Sequence, residues 1–199
     1  MSWIETIDPE HADARLAALY RRVAGASGQI DNILRTHSLR PRSLEGHLAL
    51  YKAVLHASPA SLDGVERELI GSYVSALNGC DYCLEHHRAG LGRRLGSQAE
   101  AEALVAAALE GGAHARLDAR ARAMIDYADK LTRKPADMVA ADLEPLRAVG
   151  LDDGAILELN QIVAYFAYAN RTVLGLGVSH VGETLGLHPP DEGDSLAHE

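Results

Sequence analysis

Apolar residues recur along this chain at three- and four-residue steps, and runs that alternate apolar with polar are absent, so the pattern predicts helix after helix and no strand. Leu16, Leu19, Tyr20 and Val23 mark a first helix from about Pro9 to Ala24, broken by Gly25-Ala26-Ser27-Gly28. A short segment around Ile30–His37 follows. Leu44, Leu48, Tyr51 and Leu55 define the next helix, opened by Pro41 and Ser43 and closed before Ser58-Pro59. Leu62, Val65, Leu69, Tyr73, Ala76 and Leu77 place another over Ser61–Asn78, with Asp63 and Glu66 as a capped start and Asn78-Gly79 as the stop. Cys80-Asp81 begins the first turn of a helix that runs to about Leu95. Further helices are expected over Gln98–Leu109, ending at Gly111-Gly112, around Met124, Tyr127, Ala128 and Leu131 up to Pro135, and over Met138–Val149. A long one opens at Asp152-Asp153 and carries Ile156, Leu159, Val163, Phe166, Asn170 and Val173. From Gly186 onward, Pro189-Pro190 and small, acidic residues predict a loose tail.

This reading gathers an acid, two thiols and an imidazole as Glu68-x11-Cys80-x2-Cys83-x3-His87. Glu68 falls at the border of its helix's apolar stripe, so its carboxylate is expected half under the core. Cys80 and Cys83 share one edge of the next helix, and His87 lies one turn beyond Cys83. A free thiol has a pKa of roughly 8.5, and only the thiolate is a nucleophile. Lowering that pKa by about two units takes about 2.7 kcal/mol, whereas a helix N-terminus supplies about 0.3–1 kcal/mol. A protonated His87 or a direct proton acceptor has to contribute the rest. A negative Glu68 would by itself raise a neighbouring thiol's pKa. Its useful role is therefore as a proton acceptor, or as the group that keeps His87 charged and oriented.

The spacing, with Asn78-Gly79 just before the first thiol, resembles the alkyl hydroperoxidase D-like (AhpD-like) group within the carboxymuconolactone decarboxylase superfamily. The longer context, Glu66-Arg67-Glu68-Leu69-Ile70 through Asn78-Gly79-Cys80-Asp81-Tyr82-Cys83 to His86-His87, is most similar to its peroxidase-related branch. The resemblance implies an all-α, AhpD-like helical bundle: a single domain over residues 1–185, with 1–60 as an N-terminal helical extension, 61–185 as the motif-bearing core and 186–199 as the tail. It implies a thiol-dependent peroxidase in which Cys83 attacks a hydroperoxide and becomes a sulfenic acid, Cys80 resolves it as a disulfide, and Glu68 and His87 relay the proton. No cofactor or metal is implied; a dithiol electron donor of lipoyl or thioredoxin type is. So is a homo-oligomer, a trimer or hexamer, which a light-scattering mass equal to one chain would contradict. One departure stands out. Where some members carry a histidine directly before the second cysteine, this chain has Tyr82.

Other readings of the same residues are inert core thiols, a zinc site of Cys80, Cys83 and His87 with Glu68 as fourth ligand, and a redox-switched interaction protein whose disulfide changes an interface without turnover. His47, His56, His114 and His180 have no metal-ligand spacing and read as surface or satisfied core residues. Asn170-Arg171, a polar pair inside an apolar helix, reads as a structural salt bridge.

Composition narrows the rest. A chain of 199 residues suffices for one sizeable core, and with one Phe and one Trp that core is filled by Leu, Ala, Val and Ile. A formal charge of −9 argues against nucleic acid and anionic membranes as partners. Two cysteines in one CxxC are unlike a secreted disulfide framework, and the N-terminus does not resemble a signal peptide, so a cytoplasmic setting is expected. Residues 155–178 are apolar, but Glu158, Asn160, Gln161, Asn170 and Arg171 interrupt them, which predicts a buried or subunit-interface helix rather than a membrane span. Apolar side chains around a half-buried thiol favour organic hydroperoxides over hydrogen peroxide.

Overall fold

The computed structural model describes residues 2–24, 28–110 and 116–186, and all regular structure among them is helical. The α-helices are α1 (Ala14–Val23), α2 (Asn32–Thr36), α3 (Pro41–Leu55), α4 (Gly64–Leu77), α5 (Asp81–Leu95), α6 (Gln98–Leu109), α7 (Ala119–Arg133), α8 (Glu144–Ala148) and α9 (Asp153–Leu176). The expected break at 25–27, the glycine stop after α6, His114 and the tail beyond Gly186 lie outside the described residues.

Two boundaries differ from the sequence pattern, each for a local reason. The first predicted helix is split into a 3-10 turn, Pro9–His11, and α1, because Asp13 adopts extended backbone and caps Leu16 N–H with its carboxylate. The helix expected over Met138–Val149 is a 3-10 turn, Ala140–Leu143, followed by the short α8, whose start carries Pro145 where a missing N–H costs nothing.

The bundle is organised around α4, which packs against α5, α6, α7 and α9. Its start is a complete capping box: Asp63 accepts from Glu66 N–H at 2.8 Å, and Glu66 accepts from Asp63 N–H at 2.9 Å. Because neighbours surround it, α4 buries Arg67, Glu68, Ser72 and Ser75 along with its apolar residues, and a simple stripe understates its burial. It ends in a left-handed turn at Gly79 (φ 67°), where Cys80 N–H bonds back to Ser75 O at 2.9 Å; a side chain there would be strained. That turn sets the α4–α5 hairpin on which the candidate chemistry sits.

The main core joins α3 to α9 through Leu69, Ile70, Leu91, Met124, Leu159 and Phe166. A smaller cluster links α1, α2 and α3 through Leu16, Leu19, Leu34, Leu44 and Leu48, with Ile33 packed against both. The close approach of α4 and α9 requires Gly71. A Cβ there would lie 2.3 and 2.4 Å from ring carbons of Phe166, which is itself fully buried. Alanine is the better helix former by about 1 kcal/mol, but overpacking a rigid core typically costs about 1–3 kcal/mol. Gly71→Ala is expected to lower the urea midpoint, and an unchanged or higher midpoint would show that the α4–α9 contact is looser than described.

In α9 the predicted stripe Ile156, Leu159, Val163, Phe166, Asn170 and Val173 is buried, while Leu157 and Tyr168 are exposed on the opposite face and Leu174 is exposed near the helix end. Among the described residues no helix is long and apolar enough to cross a membrane. After α9 the chain turns back over the α4–α5 hairpin as a strap, residues 178–186. Thr184 and Gln29 bond each other in both directions (2.8 and 3.2 Å), Asn32 Nδ2 donates to Ser179 O (2.8 Å) and Arg93 donates to Leu185 O (3.2 Å).

Candidate active site

The four sequence-predicted residues form two contacting pairs on the α4–α5 hairpin, Glu68 with His87 and Cys80 with Cys83. Glu68 Oε2 and His87 Nδ1 are 2.8 Å apart, on largely buried side chains. The carboxylate fits because residue 90 is glycine: a Cβ there would sit 2.9 Å from Glu68 Oε1. Arg94 Nε lies 3.9 Å from that oxygen, and the His87 ring meets Phe166 edge to face at 4.6 Å. The pair is thus held on both sides, and the expectation of a half-buried Glu68 understates its burial.

Cys80 is the N-cap residue of α5, and Cys83 sits in its first turn; both are buried free thiols. The Cys83 S–H donates to the Cys80 sulfur. That bond holds Cys80 below the ordinary thiol value, against the opposing effect of burial. The same bond, together with burial and the charge on Cys80, pushes Cys83 well up. Asn170 assists both sulfurs through its amide, which also donates to Ser75 Oγ at 3.1 Å while its oxygen accepts from Asn78 Nδ2 at 2.8 Å.

This coupling has a measurable sign. In Cys80→Ala the bond and the charge that raise Cys83 are both gone, so Cys83 should titrate at lower pH than it does in the pair. In Cys83→Ala, Cys80 loses the donor that lowers it and should titrate higher. Ultraviolet thiolate absorbance against pH reads both. A Cys83 titration that rises on removal of Cys80 would contradict the shared proton.

Cys83 and not Cys80 lines a pocket shared with Glu68, His86, His87 and Tyr82. Ile33, Leu34, Tyr51, Tyr165, Phe166 and Ala169 also line it, as do the buried Asp31 and His47, and Gly186. Burial pushes Tyr51, Tyr82 and Tyr165 well above the ordinary phenol value, so they are neutral O–H groups in a chamber that also holds Asp31, Glu68 and three histidines.

Other expectations are redistributed. His47 and His56 are buried, as the core alternative has it, yet His47 also lines the pocket, with Tyr165 Oη at 3.5 Å. The expected salt bridge of Asn170-Arg171 is replaced by a division of roles. Asn170 is fully buried at the thiols, whereas Arg171 is exposed and donates to Ala167 O at 2.7 Å. Among the described residues no three of His, Cys, Asp and Glu converge as metal ligands. The zinc reading needs Cys80, Cys83 and His87 to do so, and His87 instead turns Nδ1 to Glu68. Sequence reasoning missed Asp31, Tyr51, Tyr165 and Glu183, which long-range packing brings to the site, and named His86 within the motif without giving it a role.

Residues 41–129 match the model of the carboxymuconolactone decarboxylase family. The chain is similar to the alkylhydroperoxidase AhpD core structure of a peroxidase-related protein from Ralstonia eutropha JMP134, at 26% identity over 89% of this chain and 91% of that one, with a TM-score of 0.79. It is similar to a peroxidase-related protein from Silicibacter sp. TM1040, at 28% identity over the same shares and a TM-score of 0.78. The debrominase Bmp8, also solved with 2,3,4-tribromopyrrole, shares the fold at 19% identity, over 87% of this chain and 89% of its own, with a TM-score of 0.69. No curated protein matches.

Proposed function

From the chain's membership in the AhpD-like, peroxidase-related branch of the carboxymuconolactone decarboxylase superfamily, we propose that it is a thiol-dependent peroxidase acting on organic hydroperoxides. The observation that carries this reading is the CxxC pair of buried free thiols, with Cys83 lining the same pocket as the Glu68–His87 pair.

Cys83 is the sulfur that meets substrate, because Cys80 does not line the pocket. Its proton passes to the His87–Glu68 pair, and the thiolate attacks the terminal oxygen of the hydroperoxide. An S–O bond forms, the O–O bond breaks, and the alkoxide leaves and is protonated to an alcohol. Cys80 then attacks the Cys83 sulfenic acid; the S–S bond forms, the S–O bond breaks, and the hydroxyl leaves as water with the Cys80 proton. An external dithiol of lipoyl or thioredoxin type reduces the disulfide by exchange. Asn170 steadies negative charge on either sulfur throughout. Cys80→Ser would remove the resolving thiol but leave the attacking one.

The exposed Leu157, Tyr168 and Leu174 on α9 support assembly as a homo-oligomer, a trimer or hexamer. The aromatic chamber supports a second reading, reductive dehalogenation of a halogenated ring by the same thiols, since a debrominase shares the fold. Turnover assays with dihydrolipoamide as donor separate the two. Cumene hydroperoxide consumed in proportion to dithiol, with no bromide freed from tribromopyrrole, is the expected result. Bromide release without peroxide turnover would select the second reading, and neither activity would select a thiol switch.

A further inference from the structure

His86 and His87 are consecutive on α5, three and four residues beyond Cys83, so both imidazoles flank that sulfur on the helix surface. Both line the pocket, and each has a carboxylate behind it. His87 has Glu68 from α4; His86 Nε2 has Glu183 Oε2, from the strap, at 3.2 Å. Glu183 is nearly enclosed, with a side chain 3% exposed, and its other oxygen accepts from Tyr82 Oη at 3.2 Å and from Asn32 N–H. Burying a carboxylate is costly unless every lone pair is used. Anchoring the strap would need only the Tyr82 and Asn32 bonds, yet the remaining oxygen is spent on an imidazole that faces the pocket.

Thiol attack on a hydroperoxide needs two proton operations, one removing the thiol proton and one supplying a proton to the departing alkoxide. We infer that the two histidine–carboxylate pairs divide them: His87 with Glu68 accepts the thiol proton, and His86, oriented by Glu183 on the strap, is the general acid for the leaving oxygen. This rests on the peroxidase reading above. As the Cys83 S–O bond forms and the O–O bond breaks, the electron pair stays on the alkoxide oxygen. The His86 imidazolium gives that oxygen its proton, leaving the alcohol and a neutral imidazole that solvent reprotonates. Sulfur is oxidised by two electrons and the peroxide reduced by two. Tyr82 is a poor alternative donor, since its O–H is committed to Glu183 while its oxygen receives Ile33 N–H at 3.3 Å. Glu183 acts through His86 and is a positioning residue.

The test varies the leaving group at matched size. Cumene hydroperoxide releases a strongly basic alkoxide that needs the proton; perbenzoic acid releases benzoate, which does not. His86→Gln should slow sulfenic acid formation with cumene hydroperoxide by about 10²-fold and leave the perbenzoic acid rate nearly unchanged. Glu183→Gln, a variant that keeps the size of the strap anchor, should show the same selective loss to a smaller extent, and His87→Gln should slow both substrates. Equal losses on both peroxides in the His86 and Glu183 variants, or no loss on either, would overturn the assignment. A wild-type protein inert to both peroxides would overturn the peroxidase reading and this assignment with it.

Discussion

Cys83→Ser is expected to eliminate the reaction with cumene hydroperoxide, whereas Cys80→Ser should still react once and stop at a sulfenic acid on Cys83. The asymmetry follows from position: Cys83 lines the pocket, and Cys80 lies behind it at the N-terminus of α5. The loss in Cys83→Ser should be about 10³-fold or more, since removing a nucleophile leaves only binding and electrostatics. In Cys80→Ser the first step should persist and even gain at neutral pH, because Cys80 is what pushes Cys83 up. A dimedone adduct at residue 83 of Cys80→Ser, followed by mass, reports the trapped intermediate. The same adduct at residue 80 of Cys83→Ser would reverse the roles.

The second large effect is expected at the relay. Glu68→Gln keeps the shape of the side chain over Gly90 and retains a hydrogen bond to His87, but removes the charge that can share a proton. His87→Asn removes the imidazole while leaving the Glu68 carboxylate with Arg94 nearby. General acid–base groups typically contribute about 10²–10⁴ in rate, and each substitution should cost about 10²-fold in sulfenic acid formation. The double variant should fall little below either single one, because two groups that move one proton act as a unit. Single variants within twofold of wild type, or losses that multiply in the double, would mean that Glu68 and His87 serve the fold rather than the proton.

How much of this was legible in the sequence depended on distance along the chain. Glu68, Cys80, Cys83 and His87 lie on two successive helices joined by a glycine turn, so helical periodicity and the Asn78-Gly79 stop were enough to bring them together. The capping box at Asp63 and Glu66 is equally local. Asn170 showed as a polar residue on an apolar stripe. Its partners are on α4 and at the thiols, which no local pattern announces, and the neighbouring Arg171 drew the reading toward a salt bridge. Glu183 comes from a segment without helical period and reaches His86 from 97 residues away. His47, Tyr51 and Tyr165 looked like core, which they are, and only the packing of α3 against α9 makes them a pocket wall as well. The start of α1 was misplaced because Asp13 was available as a cap and Pro9 suggested an earlier start.

The central claim is that these two thiols are oxidised together by an organic hydroperoxide through Cys83. It is tested most directly by adding one equivalent of cumene hydroperoxide to the reduced, metal-free wild-type protein and following intact mass and free thiols over seconds. The account predicts loss of two hydrogens and of both thiols within seconds, with the peroxide converted to its alcohol and a dithiol restoring the starting mass. Thiols that remain intact over minutes, with the peroxide unconsumed, would contradict it.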